Sequence, residues 1–120
     1  MSKHLSLGKK GEDIAASYLI NKGYEIIDRN WKTERLELDL IAKKDGIYVF
    51  IEVKTRSTSF YGNPEEAITK AKKDNILEAV ELYLEEKNID SEIRIDVVTL
   101  ILKENSHSIT HLEDAILPYD

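Results

Sequence analysis

The stretch Leu36–Arg56, LELDLIAKKDGIYVFIEVKTR, constrains this chain more than any other, because two runs of alternating apolar residues flank the dipeptide Asp45-Gly46. Asp-Gly accommodates the positive φ angles of a tight turn, so the segment predicts an antiparallel β-hairpin. Side chains alternate across a strand. Leu36, Leu38 and Leu40 are therefore expected on one face, with Glu37, Asp39 and Ile41 on the other. In the second strand Ile47, Val49, Ile51 and Val53 oppose Tyr48, Phe50, Glu52 and Lys54. Pairing centred on Asp45-Gly46 brings Asp39 opposite Glu52 to within a residue or so. Two carboxylates and an ammonium then converge on one sheet face. Partly buried acids of like sign repel, so the cluster costs energy unless a cation or a proton neutralises it.

The remaining elements read as support for this hairpin. Ile14, Ala15, Tyr18 and Leu19 form an apolar stripe over a helix from about Leu5 to Lys22, with Gly23 as its C-terminal cap. Glu12 is in register with Ala15, Ala16 and Leu19, on or beside the packing face. A surface glutamate favoured by the helix dipole is the plainer reading of the same residue. Gly8 and Gly11 are poor helix formers that would let another backbone or a ligand approach. Tyr24–Asp28 is a short strand, followed by a polar bend with Trp31, expected to pack at the sheet edge in preference to stacking on a nucleobase. The loop STSFYGNP leaves the hairpin directly, either to cover a substrate or as an ordinary crossover.

A second helix runs from Thr69, a plausible N-cap, to about Lys87, with Ile76, Leu77, Val80, Tyr83 and Leu84 at helical spacing. Glu65 and Glu66 fall in a short turn before it. Lys72 aligns with Ile76, Ala79 and Tyr83, which would put its stem on the packed face with its ammonium outward, and a solvated helix start shared with Lys70 and Lys73 explains it equally well. Ile93–Leu102 is a largely buried strand, parallel to the strand of Glu52 because a helical crossover precedes it. Ser108–Leu112 adds a weaker edge strand. The order is αβββαβ with one further β.

Composition narrows the class. A chain of 120 residues with 33% charged side chains fits one soluble domain spanning residues 1–120. The N-terminus lacks the apolar core of a signal peptide and no run is long enough to span a membrane, so a cytoplasmic location is expected. With no cysteine, any metal would be held by oxygen or histidine. A net charge of −6 argues against a generic nucleic-acid coat protein. Four of those charges, Glu12, Glu37, Asp39 and Glu52, would be offset by divalent cations if they share one site.

Glu-x-Lys alone is nearly worthless as a signal, since Glu85-x-Lys87 has the same spacing at a helix end, where residues two apart face differently. Glu52-x-Lys54 differs because a strand puts both side chains on one face and the hairpin delivers Asp39 beside them. At this point the chain resembles the YraN-like family of small bacterial proteins. That family is grouped with the PD-(D/E)xK, or restriction-endonuclease-like, nucleases and is similar in plan to archaeal Holliday junction resolvases. The resemblance covers almost the whole chain, through GKKGEDIAASYLINKGYEIIDRNW, LELDLIA, FIEVKTRS, YGNPEEAITKAKKDN and RIDVVTL. Where the family pattern has glycine before Glu-hydrophobic-Asp, this chain has Leu36.

The resemblance implies an α/β restriction-endonuclease-like fold with an αβββαβ core, a mixed central sheet flanked by two main helices. It makes Asp39 and Glu52 metal-binding carboxylates, with Glu12 and the backbone carbonyl of Val53 completing the site, and Lys54 the catalytic lysine. Glu37 is a weaker addition. Arg56, Lys70, Lys72 and Lys73 are expected on flanking phosphates. The implied activity is Mg²⁺-dependent endonucleolytic cleavage of DNA, branched or damaged, with Mn²⁺ as a substitute cofactor. A homodimer would supply the two sites that cutting a symmetric junction requires. A module of the same fold that binds nucleic acid or protein with an idle site is the alternative, and a purely structural Glu52–Lys54 ion pair is a third.

Overall fold

The Asp45-Gly46 turn forms as its residues dictate, with both at left-handed φ angles of 52° and 79°. The strands around it pair with Leu40 opposite Ile51 and Ile41 opposite Phe50, the register centred on the turn. The computed structural model describes residues 3–57 and 68–117, with side chains from residue 7 onward. In chain order these form α1 (Lys3–Asn21), β1 (Glu25–Thr33), β2 (Leu36–Lys44), β3 (Ile47–Arg56), α2 (Lys70–Glu86), β4 (Ile93–Leu102) and β5 (His107–Leu112). One sheet runs β1-β2-β3-β4-β5. Every neighbouring pair is antiparallel except β3–β4, which the α2 crossover makes parallel. This mixed α/β sheet with two helices is compatible with a restriction-endonuclease-like αβββαβ core, extended by β5.

The helices cover opposite faces of the sheet. Ala15, Ala16 and Leu19 of α1 are buried with Leu40, Ala42, Val49, Ile51, Val98 and Leu100. Gly23, at φ 95°, ends the helix, while the Gly23 and Tyr24 N–H groups donate back to Ile20 and Leu19 carbonyls at 3.0 Å. On the other face Ile76, Ala79, Val80 and Tyr83 of α2 are buried with Leu36, Leu38, Ile41, Phe50, Ile95 and Val97. Thr69 caps α2 by accepting from the Lys72 N–H at 3.2 Å, an interaction worth about 1 kcal/mol. Among the described residues no helix is long and apolar enough to cross a membrane.

Three local differences from the sequence reading matter. First, β1 extends to Thr33 instead of ending at Asp28, because the register shift between Ile26 and Asp28 and the left-handed Asn30 (φ 52°) let the strand bend and continue. Trp31 thereby packs edge-on against Tyr83, with ring centroids 5.2 Å apart, and its Nε1 donates to Glu86 Oε2 at 3.2 Å. The polar bend after it is a two-residue Glu34-Arg35 turn, since Thr33 pairs with Leu36.

Second, Leu36, Leu38 and Leu40 do not share a face. Leu36 and Leu38 belong to the α2 side, Leu40 and Ala42 to the α1 side. The β2–β3 ladder ends at Leu40–Ile51, so β2 is free of β3 before Leu40 and turns over at Asp39. Third, Gly11 permits a close approach and Gly8 does not use its freedom. A Cβ on Gly11 would come within 1.9 Å of Thr55 Oγ1, whereas one on Gly8 would meet nothing. The STSFYGNP loop beyond Ser57, with Glu65 and Glu66, lies outside the described residues.

Candidate functional site

The site lies where β2 and β3 part. Beyond Leu40–Ile51 the backbone ladder gives way to a side chain: the Val53 N–H donates to Asp39 Oδ2 at 2.9 Å. A strand residue's N–H and C=O point to the same side, so the Val53 carbonyl opens on the same gap between the strands. Glu52, one residue earlier, is only 8% exposed and close enough to Asp39 for the two charges to act on each other. The hairpin register thus delivers the two carboxyls together, as its sequence implies.

Burial and mutual repulsion shift both acids the same way. Removal from water, then the charge of Asp39, pushes Glu52 up to about 8, against the opposing pull of Lys72. Asp39 is raised chiefly by burial, which outweighs the Val53 N–H, and Glu12 and Glu37 add to the rise. At neutral pH the pair therefore retains a proton that ordinary carboxyls have lost, and a site that binds a proton in this way has an unmet demand for positive charge.

The other predicted residues are distributed around this pair. Lys72 reaches Glu52 from α2, with Nζ 3.5 Å from Oε1, so the helix supplies the counter-charge that the sequence reading gave to Lys54. Lys54 follows Glu52 by two strand positions and is exposed. Glu12 acts on Asp39 through its charge while its Oε1 accepts from Asn30 Nδ2 at 2.8 Å and Arg29 Nη2 at 3.4 Å. Among the described residues no third acid or histidine joins Asp39 and Glu52 closely enough to form a three-ligand metal set. Lys70 is paired with Asp74 at 3.2 Å. Lys73 borders a cavity of about 250 Å³ with Ile68, Val97 and Ile116. Glu37 is exposed and Arg56 partly buried.

A second buried acid escaped the sequence reading. Asp96 of β4 is fully buried and accepts from Arg94 Nε at 2.9 Å, Arg94 Nη2 at 3.0 Å and the Asp114 N–H at 2.9 Å. His111 Nε2 lies 2.7 Å from Asp96 Oδ2, and opposite an ionised carboxylate that nitrogen carries the proton. Burial works to raise Asp96, but these donors overcome it and hold the carboxyl below its ordinary range. Arg94 also donates to the Tyr24 hydroxyl and pairs with Glu113 at 3.1 Å. The available signal was Arg94-x-Asp96, an ion pair two residues apart on one strand face inside an otherwise apolar run.

Fold and site together define a two-helix, mixed-sheet α/β domain with a carboxylate pair at the opening between two central strands. Residues 11–100 match the family described as uncharacterised protein family UPF0102, and the chain belongs to that family. A UPF0102 protein from Phocaeicola vulgatus is 41% identical over 118 residues, 98% of each chain. One from Flavobacterium psychrophilum is 39% identical over 115 residues, covering 96% of this chain and 97% of its own. Another, from Syntrophomonas wolfei, is 44% identical over 110 residues, covering 91% and 96% respectively.

Proposed function

We infer that the protein is a divalent-metal-dependent endonuclease that hydrolyses DNA phosphodiester bonds at the Asp39–Glu52 pair, acting on branched or damaged DNA. The observation that carries this reading is geometric: where the β2–β3 ladder ends, half-buried Asp39 and buried Glu52 are brought together, with the Val53 N–H orienting Asp39 at 2.9 Å. The donor set suits a hard cation. It is made of oxygens, with Asp39 oriented by the Val53 N–H and the Val53 carbonyl facing the same gap.

In this reading Asp39, Glu52 and the Val53 carbonyl hold Mg²⁺ or Mn²⁺, with Glu12 adding negative charge from α1. The bound ion supplies Lewis acidity and a lowered pKa for water. Lys54, exposed next along β3, orients the attacking water and offsets the charge that develops on the phosphate. Lys72 balances Glu52 in the absence of metal and Arg56 contacts a flanking phosphate. Cleavage of labelled linear, flapped and four-way DNA with Mg²⁺ tests the reading. Activity is expected in the native protein and lost in Asp39→Asn, and full activity in Lys54→Ala would sink it.

The Lys72–Glu52 pair favours one competitor, a nucleic-acid-binding or protein-binding module whose acids are idle, because a lysine already meets one of them. Metal-independent DNA binding that is unchanged in Asp39→Ala, with no cleavage of any substrate, would select it.

A further inference from the structure

Along the flank where α1 meets β5 runs a groove in two lobes that share Ile14 and His107. The first, about 280 Å³, is rimmed by Lys10, Lys103, Asn105, Ser106 and His107. Its two lysines come from opposite ends of the chain and only the fold brings them together. The second lobe, about 450 Å³, continues past Ser17, Tyr18, Asn21 and Ile109. The acids on the rims are Glu104 and Asp13, and Asp13 is already paired with Arg29 at 2.6 Å. In a chain of net charge −6, the groove therefore has a basic mouth and a less polar interior.

The mouth opens at the same end of the sheet as the candidate site. The Gly11 contact with Thr55 rests α1 on the carboxyl-terminal part of β3. From there Arg56 pairs with Ile101, and Leu102 pairs with His107. Measured within the sheet, at about 3.3 Å per strand residue and 4.8 Å between strands, the mouth is roughly 15–20 Å from Glu52. The groove lies on the α1 face and Glu52 meets Lys72 on the α2 face, so a DNA strand joining them passes around the end of the sheet. The Tyr18 ring in the second lobe is held in place, since its hydroxyl accepts from Lys22 Nζ at 3.1 Å and lies 3.4 Å from His111 Nδ1.

We propose that this groove holds an unpaired strand of the DNA substrate, a phosphate against Lys10 and Lys103 in the first lobe and the adjoining base over Ile14, Ile109 and Tyr18 in the second. The proposal rests on the reading of Asp39–Glu52 as the cleavage site and narrows the substrate to DNA with a single-stranded arm beside the cut. Cations that track a backbone, next to apolar and aromatic surface that receives bases, hold single strands with little sequence preference. A duplex keeps its bases stacked inside and offers nothing to the second lobe. Ser17 and Asn21 give hydrogen-bonding groups that serve any base edge.

Fluorescence anisotropy in EDTA, where cleavage is silent, tests this with a labelled oligothymidylate of about ten nucleotides and a duplex of equal length. The native protein is expected to bind the single strand more tightly. Lys10→Ala with Lys103→Ala should weaken binding about tenfold and flatten the salt dependence by about 0.7 log units per log unit, the contribution of the one phosphate they hold. Ser17→Glu, an exposed helix position, should weaken it comparably, and Lys43→Ala at the far end of β2 should not. Unchanged single-strand affinity in the groove variants, equal affinity for duplex, or no binding by the native protein overturns the groove. Loss of binding in these variants, together with no Mg²⁺-dependent cleavage of a flapped duplex by the native protein, upholds the groove and overturns only the hydrolytic reading.

Discussion

Asp96 and the Asp39–Glu52 pair are both carboxylates taken out of water by one sheet, and their surroundings drive them in opposite directions. Asp96 receives the Arg94 guanidinium, His111 and the Asp114 N–H, and its carboxyl is held low. Asp39 and Glu52 share one backbone N–H and one lysine at 3.5 Å, and both are pushed up. The same burial penalty acts at both places. What differs is the number of donors the fold provides. Donors from three segments hold Asp96 as an ion inside the fold, whereas Asp39 and Glu52 are left with one N–H and one lysine between them, the imbalance on which the proposed cation site rests.

Removing Asp96 should have the largest effect. Asp96→Ala leaves Arg94 and His111 without their shared acceptor and is expected to cost about 3 kcal/mol in chemical denaturation. The opposite sign is expected at the other centre. Glu52→Gln removes a buried charge without changing shape and should stabilise the protein by about 1–2 kcal/mol at pH 8.5, while abolishing the rise in Tm that the proposed metal site predicts for the native protein in Mg²⁺. A loss of stability in Glu52→Gln, or an unaltered Mg²⁺ response, would break the contrast.

The two centres also predict opposite pH limbs. Asp96 is held below its unfolded value near 3.9, so its contribution is present above that pH and lost as pH falls through the folded value. Glu52, raised to about 8, keeps in the native state a proton that the unfolded chain releases near 4.3. Native stability should therefore fall as pH rises from about 4.3 to about 8 and then level off. Unfolding free energies measured from pH 3 to 9 should lose this upper limb in Glu52→Gln and keep the acid limb. The smallest effect is expected from Asn30→Gly, which keeps the left-handed backbone but removes the donor to Glu12, at a cost of about 1 kcal/mol or less.

The hairpin was legible because its determinants are local. Asp45-Gly46 sets the turn, the turn sets the register, and the register brings Asp39 to Glu52. The helices were legible for the same kind of reason, in the stripe of Ala15 and Leu19, Gly23 at one end and Thr69 at the start of the next. The face reversal at Asp39 was not, because strict alternation assumes a continuous ladder and this one stops at Leu40. Nor could spacing show that Lys72 and not Lys54 meets Glu52, since the reach of a side chain from α2 across the sheet depends on how the helix packs.

By itself, then, the sequence determined the order of elements, the hairpin register and the presence of two acids side by side in strands, all consequences of periodicity and turn chemistry within a few residues. Only the tertiary structure decided what those acids experience. Burial depth, the ending of the β2–β3 ladder, the arrival of Lys72, and the gathering of Arg94, His111 and Asp114 on Asp96 all depend on contacts between segments far apart in the chain. Electrostatic energy in a low-dielectric interior is set by those distances and not by spacing along the backbone.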